Sequence, residues 1–329
     1  MAERPRVGFV GGLGRSGSTL LELCLGGLPQ VCAVGELVHV WQRGIVENQL
    51  CGCGRHFHEC PFWLQVGDLA FGGWDRVDVG EVLELRRSVD RNRFVPRLLL
   101  PRPGRAFLRR TQEYDRRYHS IYAAVLEVSQ AEVVIDSSKH VSLAACLRWD
   151  PALDLRLVHM TRDSRGVAHS WSKQVQRPEI ADAVVYMPQY SATQASIRWL
   201  TQNTLLEMVS ATGTPRLHVR YEDFVRGPAG ALRQVAAFLG LDAPPAKSEA
   251  TPHHVLLKPN HSVAGNPLRF SSGAVTVSPD EAWREQMPTP RRRLVGALTL
   301  PLRVRYGYVG GGGGRAVTPP PRGPVAPRR

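Results

Sequence analysis

Val7-Gly8-Phe9-Val10-Gly11-Gly12-Leu13-Gly14-Arg15-Ser16-Gly17-Ser18-Thr19 decides the fold. The apolar run Val7 to Gly11 reads as a buried strand, and Ser18 to Leu28 keeps the spacing of a helix. A Gly-rich turn between a strand and a helix points its backbone N–H groups, together with the positive end of the helix, at one spot. That spot is a cradle for a phosphate-like anion. Two nucleotide readings follow from the residues. Gly12, Gly17 and Thr19 match G-x-x-x-x-G-K-[ST], the loop of nucleotide hydrolases and kinases, but Ser18 stands where the lysine belongs and the cation sits inside the loop as Arg15. Gly12, Gly14 and Gly17 also spell G-x-G-x-x-G, with Glu36 near the distance at which a dinucleotide fold takes a ribose hydroxyl. A Gly-rich turn without a ligand is the bland alternative.

Working outward, apolar runs and helical stretches alternate. Strands are expected at Val31 to Val34, Val133 to Asp136, Leu155 to Thr161 and Arg216 to Arg220, and helices at 142–149, 164–175, 191–211 and 230–240. This rhythm predicts an α/β fold, a central parallel sheet flanked by helices. It breaks between 41 and 118, an Arg-, Gly- and Pro-containing stretch read as an insertion over the site, where acceptor contacts would lie. Residues 1–308 are read as one domain. The Gly-, Pro- and Arg-rich residues 309–329 are read as a disordered tail.

A second phosphate-binding candidate lies in Leu155-Arg156-Leu157-Val158-His159-Met160-Thr161-Arg162-Asp163-Ser164-Arg165-Gly166-Val167-Ala168-His169-Ser170-Trp171: a strand, an Arg-rich turn and a helix. Guanidinium suits phosphate because it stays charged and offers paired donors. A solvated Arg–Asp turn capped by Ser164 is the structural alternative.

Together the two loops resemble the sulfotransferases that use 3′-phosphoadenosine-5′-phosphosulfate (PAPS). Gly14-Arg15-Ser16-Gly17-Ser18-Thr19 is similar to that family's 5′-phosphosulfate loop, which has a P-loop-like form without the lysine. Arg162 and Ser170 match its 3′-phosphate pair. The resemblance implies a P-loop-like sulfotransferase fold that binds PAPS as co-substrate, needs no metal, and moves the sulfuryl group to a hydroxyl of a small-molecule, glycan or lipid acceptor. It spans most of residues 6 to 270 and leaves out the insertion and the tail. A P-loop kinase, against which Ser18 argues, and a non-catalytic anion- or nucleic-acid-binding module stand as alternatives.

By the same resemblance, Glu36 is the base that takes the acceptor's proton, and Arg15 and Lys139 stabilise charge on the transferring group. A helix N-terminal Glu and a solvated lysine are the bland readings of Glu36 and Lys139. His39 and His140 are alternative bases. Tyr221 and Arg269 fall in late family-like segments, with Arg269 or Lys258 expected near the 3′-phosphate. Cys51, Cys53 and Cys60 lie in Cys51-Gly52-Cys53-Gly54-Arg55-His56-Phe57-His58-Glu59-Cys60-Pro61-Phe62-Trp63, which lacks the paired C-x₂-C spacing of ordinary zinc sites. A thiol knot packed by Phe62 and Trp63 is the preferred reading over zinc.

Composition limits the partners. Of 42 Lys and Arg residues only Lys139, Lys173, Lys247 and Lys258 are lysines, and the arginines are dispersed, so the net charge of +13 favours anionic ligands without marking a nucleic-acid surface. No window reaches the roughly 18 to 20 apolar residues of a membrane span. The start, Met1-Ala2-Glu3-Arg4-Pro5-Arg6, lacks signal-peptide regions, which places the chain in the cytoplasm by expectation. No heptad reveals an oligomeric state.

Overall fold

The computed structural model describes residues 4–176, 186–242 and 254–309. Five strands, β1 (Arg6–Gly11), β2 (Val31–Gly35), β3 (Val133–Lys139), β4 (Asp154–Thr161) and β5 (Arg216–Arg220), form one sheet in the order β2-β3-β1-β4-β5. Every pairing in it is parallel, with Arg6 opposite Val133 on one side and Asp154 on the other. Alternation along the strands splits the interior in two. Val7, Phe9, Val134, Leu155 and Leu157 face one core, and Val10, Val133, Ile135, Val158 and Met160 face the other. Both faces are buried, which is why the strands read as continuous apolar runs.

Helix α1 (Ser18–Leu25) connects β1 to β2. The β2–β3 crossover holds the Cys-rich turn and the helices α2 (Pro61–Phe71), α3 (Val79–Val89), α4 (Val95–Leu98) and α5 (Arg105–Ser129). Then come α6 (Val141–Leu147) after β3, α7 (Ser164–Ser172) and α8 (Ala192–Ala211) after β4, and α9 (Tyr221–Arg226) and α10 (Pro228–Leu239) after β5. A hairpin of β6 (His254–Leu257) and β7 (Gly273–Thr276) and the short helices α11 (Trp283–Gln286), α12 (Thr289–Leu298) and α13 (Leu300–Arg305) follow. The expected strands and helices are present, with ends shifted by up to three residues.

Residues 41–118 correct one expectation. They form a helical layer of the larger core, with Trp41, Trp63, Tyr114 and Tyr118 fully buried. Trp41 Nε1 donates to the Tyr118 hydroxyl at 3.1 Å, and Tyr114 donates to buried Asp90 at 2.9 Å. Among the described residues of this segment, Arg43 lines the cleft at the sheet's carboxyl edge and the rest do not. The stretch is therefore packing, not a cover. Along α5, which begins in this stretch, Phe107, Thr111, Tyr114, Tyr118, Ile121 and Val125 keep i, i+3/i+4 spacing, a helical signal that the interleaved arginines concealed. The expected tail lies outside the described residues from 310 onward. Among the described residues no helix is long and apolar enough to cross a membrane.

Candidate active site

A cleft of about 660 Å³ opens beyond the carboxyl ends of β1 to β4, where the connections from the central strand diverge and open α/β sheets bind ligands. Its first wall is the turn after β1. Gly12 has φ of +128°, and a Cβ there would stand 2.2 Å from the Met160 carbonyl oxygen of β4, so glycine is required. Gly17 has φ of +86° at the N-cap of α1, and no side chain caps that helix. The first-turn amides of α1 thus face the cleft beside Ser18 and Thr19 without an internal acceptor, a donor set that fits an anion. Arg15 lies on the same wall, its guanidinium 5.2 Å over the Trp171 ring and 2.9 Å from Met187 Sδ. Trp171 in turn donates to the Gly14 carbonyl at 3.0 Å, which ties α7 to the loop.

The second wall is the turn after β4. Arg162 follows the last strand residue, and Ser170 sits two turns into α7; both line the cleft. The Arg162 side chain is 6% exposed. It pairs with Asp280 at 3.0 Å, donates to the Arg15 carbonyl at 3.3 Å, and lies 4.6 Å over the Tyr221 ring. Tyr221 also meets the first wall, because a Cβ on Gly17 would come within 2.5 Å of its ring. The helix after β4 is capped by Asp163, which accepts from Arg165 N at 2.9 Å; Ser164 instead shares a 2.7 Å hydrogen bond with Thr299. That leaves Ser164 no part in the turn's capping.

The third wall joins β2 and β3. At the end of β3, Asp136 accepts from Ser138 N and Ser138 Oγ, while Ser138 Oγ accepts from Val38 N at 2.9 Å. These bonds hold Lys139 at φ of +64°, a conformation that costs a non-glycine residue about 1 kcal/mol or more. The turn aims the Lys139 ammonium at Glu36, with which it forms an ion pair. His39 Nε2 lies 3.4 Å from the other Glu36 oxygen. Burial opposes ionisation of Glu36, but Lys139 and the His39 contact outweigh it and hold the carboxyl well below the usual carboxylate range. Burial lowers the pKa of His39 and pushes His140 down to about 4, so both imidazoles are neutral at neutral pH.

No protein-family model matches the chain. Human carbohydrate sulfotransferase 6 is 29% identical over 196 residues, which cover 55% of this chain and 49% of that protein. Mouse carbohydrate sulfotransferase 5 is 27% identical over 192 residues, 52% of this chain and 48% of the other. The sulfotransferase domain of the Synechococcus PCC 7002 olefin synthase shares the fold, with a TM-score of 0.51 at 21% identity over 93% of this chain and 96% of that domain. The chain has the sulfotransferase fold. It spans about half the length of the curated relatives it matches.

Within this sulfotransferase fold, Gly14, Arg15, Gly17, Ser18, Thr19, Glu36, Lys139, Arg162, Ser170 and Tyr221 all line one cleft. Three residues expected at the site do not. Ser16 belongs to the loop, but its side chain is buried behind it. Arg269 is 1% exposed and donates to the Ser262 and Val263 carbonyls at 3.0 and 2.6 Å, so its charge braces a turn and does not face the cleft. Lys258 is exposed and also lies off the cleft lining. Sequence reading missed Asp280, which pairs with Arg162 from 118 residues away, and also Trp171, Tyr190 and Arg198. Trp171 was within reach, since it adjoins Ser170 on the helix face toward the first loop. Asp280 carries no local signal. The cleft gathers Arg15, Arg43, Lys139, Arg162 and Arg198 against the carboxylates Glu36 and Asp280, a balance that favours an anionic ligand.

Proposed function

We propose that the chain moves a sulfuryl group from PAPS to a hydroxyl of a small-molecule, glycan or lipid acceptor. The observation that carries this reading is the meeting, in one cleft, of two separate anion-binding turns with an ionised carboxylate. PAPS bears anionic groups at both its 5′ and 3′ ends, and two sites answer that need where a mononucleotide enzyme uses one. The absent lysine at Ser18, with Arg15 in its place, speaks against a kinase.

The first turn, with the α1 amides, Ser18, Thr19 and Arg15, would hold the 5′-phosphosulfate, and Arg162 with Ser170 the 3′-phosphate. PAPS supplies the sulfuryl group and leaves as the 3′,5′-bisphosphate. Glu36, ionised at neutral pH, receives the acceptor proton. Its low proton affinity suits a step in which the hydroxyl gives up the proton late, as in a loose transition state. Lys139 adds a coupling between charge stabilisation and base strength. As its ammonium turns toward negative charge developing in the cleft, Glu36 loses its counter-ion and binds the proton more tightly. The carbohydrate relatives make a glycan hydroxyl one acceptor to test. We place the protein in the cytoplasm as part of this proposal.

Calorimetric titration with 3′,5′-adenosine bisphosphate against AMP, ATP and NAD tests the reading. Binding that requires the 3′-phosphate and falls at least tenfold in Arg162→Ala is expected, since one charge-assisted contact contributes about 1.5–3 kcal/mol. Equal binding of ATP or NAD, or an unchanged Arg162→Ala, would sink it.

A further inference from the structure

Outside the cleft lining, three thiols and an imidazole converge. Cys51, Cys53, Cys60 and His261 place one ligand atom each within 4.8 Å of all the others. Cys53 Sγ and Cys60 Sγ are 3.7 Å apart, and His261 Nδ1 is 3.3 Å from Cys60 Sγ and 3.8 Å from Cys51 Sγ. Zinc bound at about 2.3 Å to sulfur and about 2.0 Å to nitrogen sets tetrahedral edges of roughly 3.8 Å between sulfurs and roughly 3.5 Å between sulfur and nitrogen. These three edges lie within about 0.3 Å of those values. The Cys53–Cys60 separation is far beyond the roughly 2.0 Å of a disulfide, and all three cysteines are free.

The surroundings hold the donors in place independently of one another. His261 is fixed from outside the cluster: Phe62 stacks on its ring at 4.6 Å and 10°, and Trp63 Nε1 donates to its carbonyl at 2.9 Å. That packing turns Nδ1 toward the sulfurs. Cys60 occupies the N-cap of α2, where the helix end favours a thiolate. Cys51 sits in a tight turn closed by Gly54 N to the Cys51 carbonyl at 2.9 Å, with Gly54 at φ of +84°. Cys51 and Cys60 are 1% and 0% exposed, and Cys53 and His261 are partly buried, so most of the cluster is withdrawn from solvent.

We infer that Cys51, Cys53, Cys60 and His261 form a structural zinc site that fastens the 260s segment to the Cys-rich turn. The thiol knot expected from the sequence is thereby replaced, because the fourth ligand comes from 201 residues beyond Cys60. The site lies outside the catalytic cleft but bears on it through the backbone. From His261 the chain runs directly to Val263, whose N–H donates to Val34 of β2 at 3.0 Å, and to Ala264, whose carbonyl accepts from Glu36 N at 3.2 Å. Gly52 N also donates to the Ser262 carbonyl at 2.9 Å. Zinc fixes the segment against which the Glu36 backbone rests.

The test uses the full chain purified under reducing conditions without chelator. Elemental analysis should find about one zinc per chain, and the cobalt-substituted protein should show tetrahedral d–d bands with a thiolate charge-transfer band. Chelator treatment of the wild type should lower its melting midpoint by roughly 5 °C or more. Cys60→Ser should lose the metal, and His261→Cys should retain it in a Cys₄ site, so a variant that merely misfolds is distinguished from one that lost a ligand. Absence of zinc after expression in zinc-supplemented medium, another metal in its place, octahedral cobalt bands, or a Cys53–Cys60 disulfide by mass spectrometry would overturn the assignment.

Discussion

Replacing Lys139 by Met separates what the Glu36–Lys139 pair does for folding from what it does for chemistry. The two side chains are 18% and 12% exposed. Removing one partner of a fully buried pair costs about 3–5 kcal/mol because a charge is stranded, and the residual exposure here lowers that to about 2–3 kcal/mol. Glu36→Gln strands the ammonium at a similar cost. The double variant strands neither charge and should cost about as much as either single change rather than their sum, so a double-mutant cycle should yield a coupling of about 2–3 kcal/mol. Urea unfolding of the four proteins at neutral pH measures it. The pH dependence has a defined sign. In the wild type the Glu36 pKa is depressed, so its contribution is complete above the usual carboxylate range and is lost only as pH falls through the lower folded value. In Lys139→Met burial drives the carboxyl upward, so the ionised form opposes folding at neutral pH and the deficit shrinks as the pH is lowered. A coupling below about 0.5 kcal/mol, or a deficit that does not change with pH, would refute the buried-pair account. The double variant should be no less stable than either single variant yet inactive in sulfuryl transfer, which would separate the pair's part in chemistry from its part in folding.

Arg269→Ala should destabilise the protein by about 3 kcal/mol, because two buried carbonyls lose a charged donor, while the folded protein binds adenosine bisphosphate as tightly as wild type. Weakened binding by fully folded Arg269→Ala, measured calorimetrically, would return this arginine to the ligand site. Gly17→Ala combines φ of +86° with a Cβ 2.5 Å from the Tyr221 ring. It should cost about 1–3 kcal/mol in thermal unfolding and weaken bisphosphate binding severalfold, since the Arg162–Tyr221 stack moves with it. Wild-type affinity in that variant would show that the first loop does not set the second.

Much of the frame was legible because its signals are local. Apolar runs located all five sheet strands, β5 with the same ends, and the glycine spacing located a turn whose positive φ at Gly12 and Gly17 admits little else. Arg162 and Ser170 share one strand-turn-helix unit, so their meeting at the cleft also follows from local geometry. The segment 41–118 was misread for a different reason: its apolar face is helical, and no local feature says whether such a face packs on a core or over a ligand.

The sequence by itself determined the sheet-and-helix rhythm, the two turns that follow β1 and β4, and the residue types at them. Only the tertiary structure decided which distant groups share a charge or a ligand atom. Strand order puts β2 beside β3, and so brings Glu36 to Lys139 across 103 residues. The return of the chain along β2 brings His261 to Cys51 across 210, and the same turn draws Arg269 inward, away from the cleft. Backbone conformation and periodicity are written within a few residues, whereas an ion pair or a ligand set depends on where separate turns meet, and packing alone fixes that.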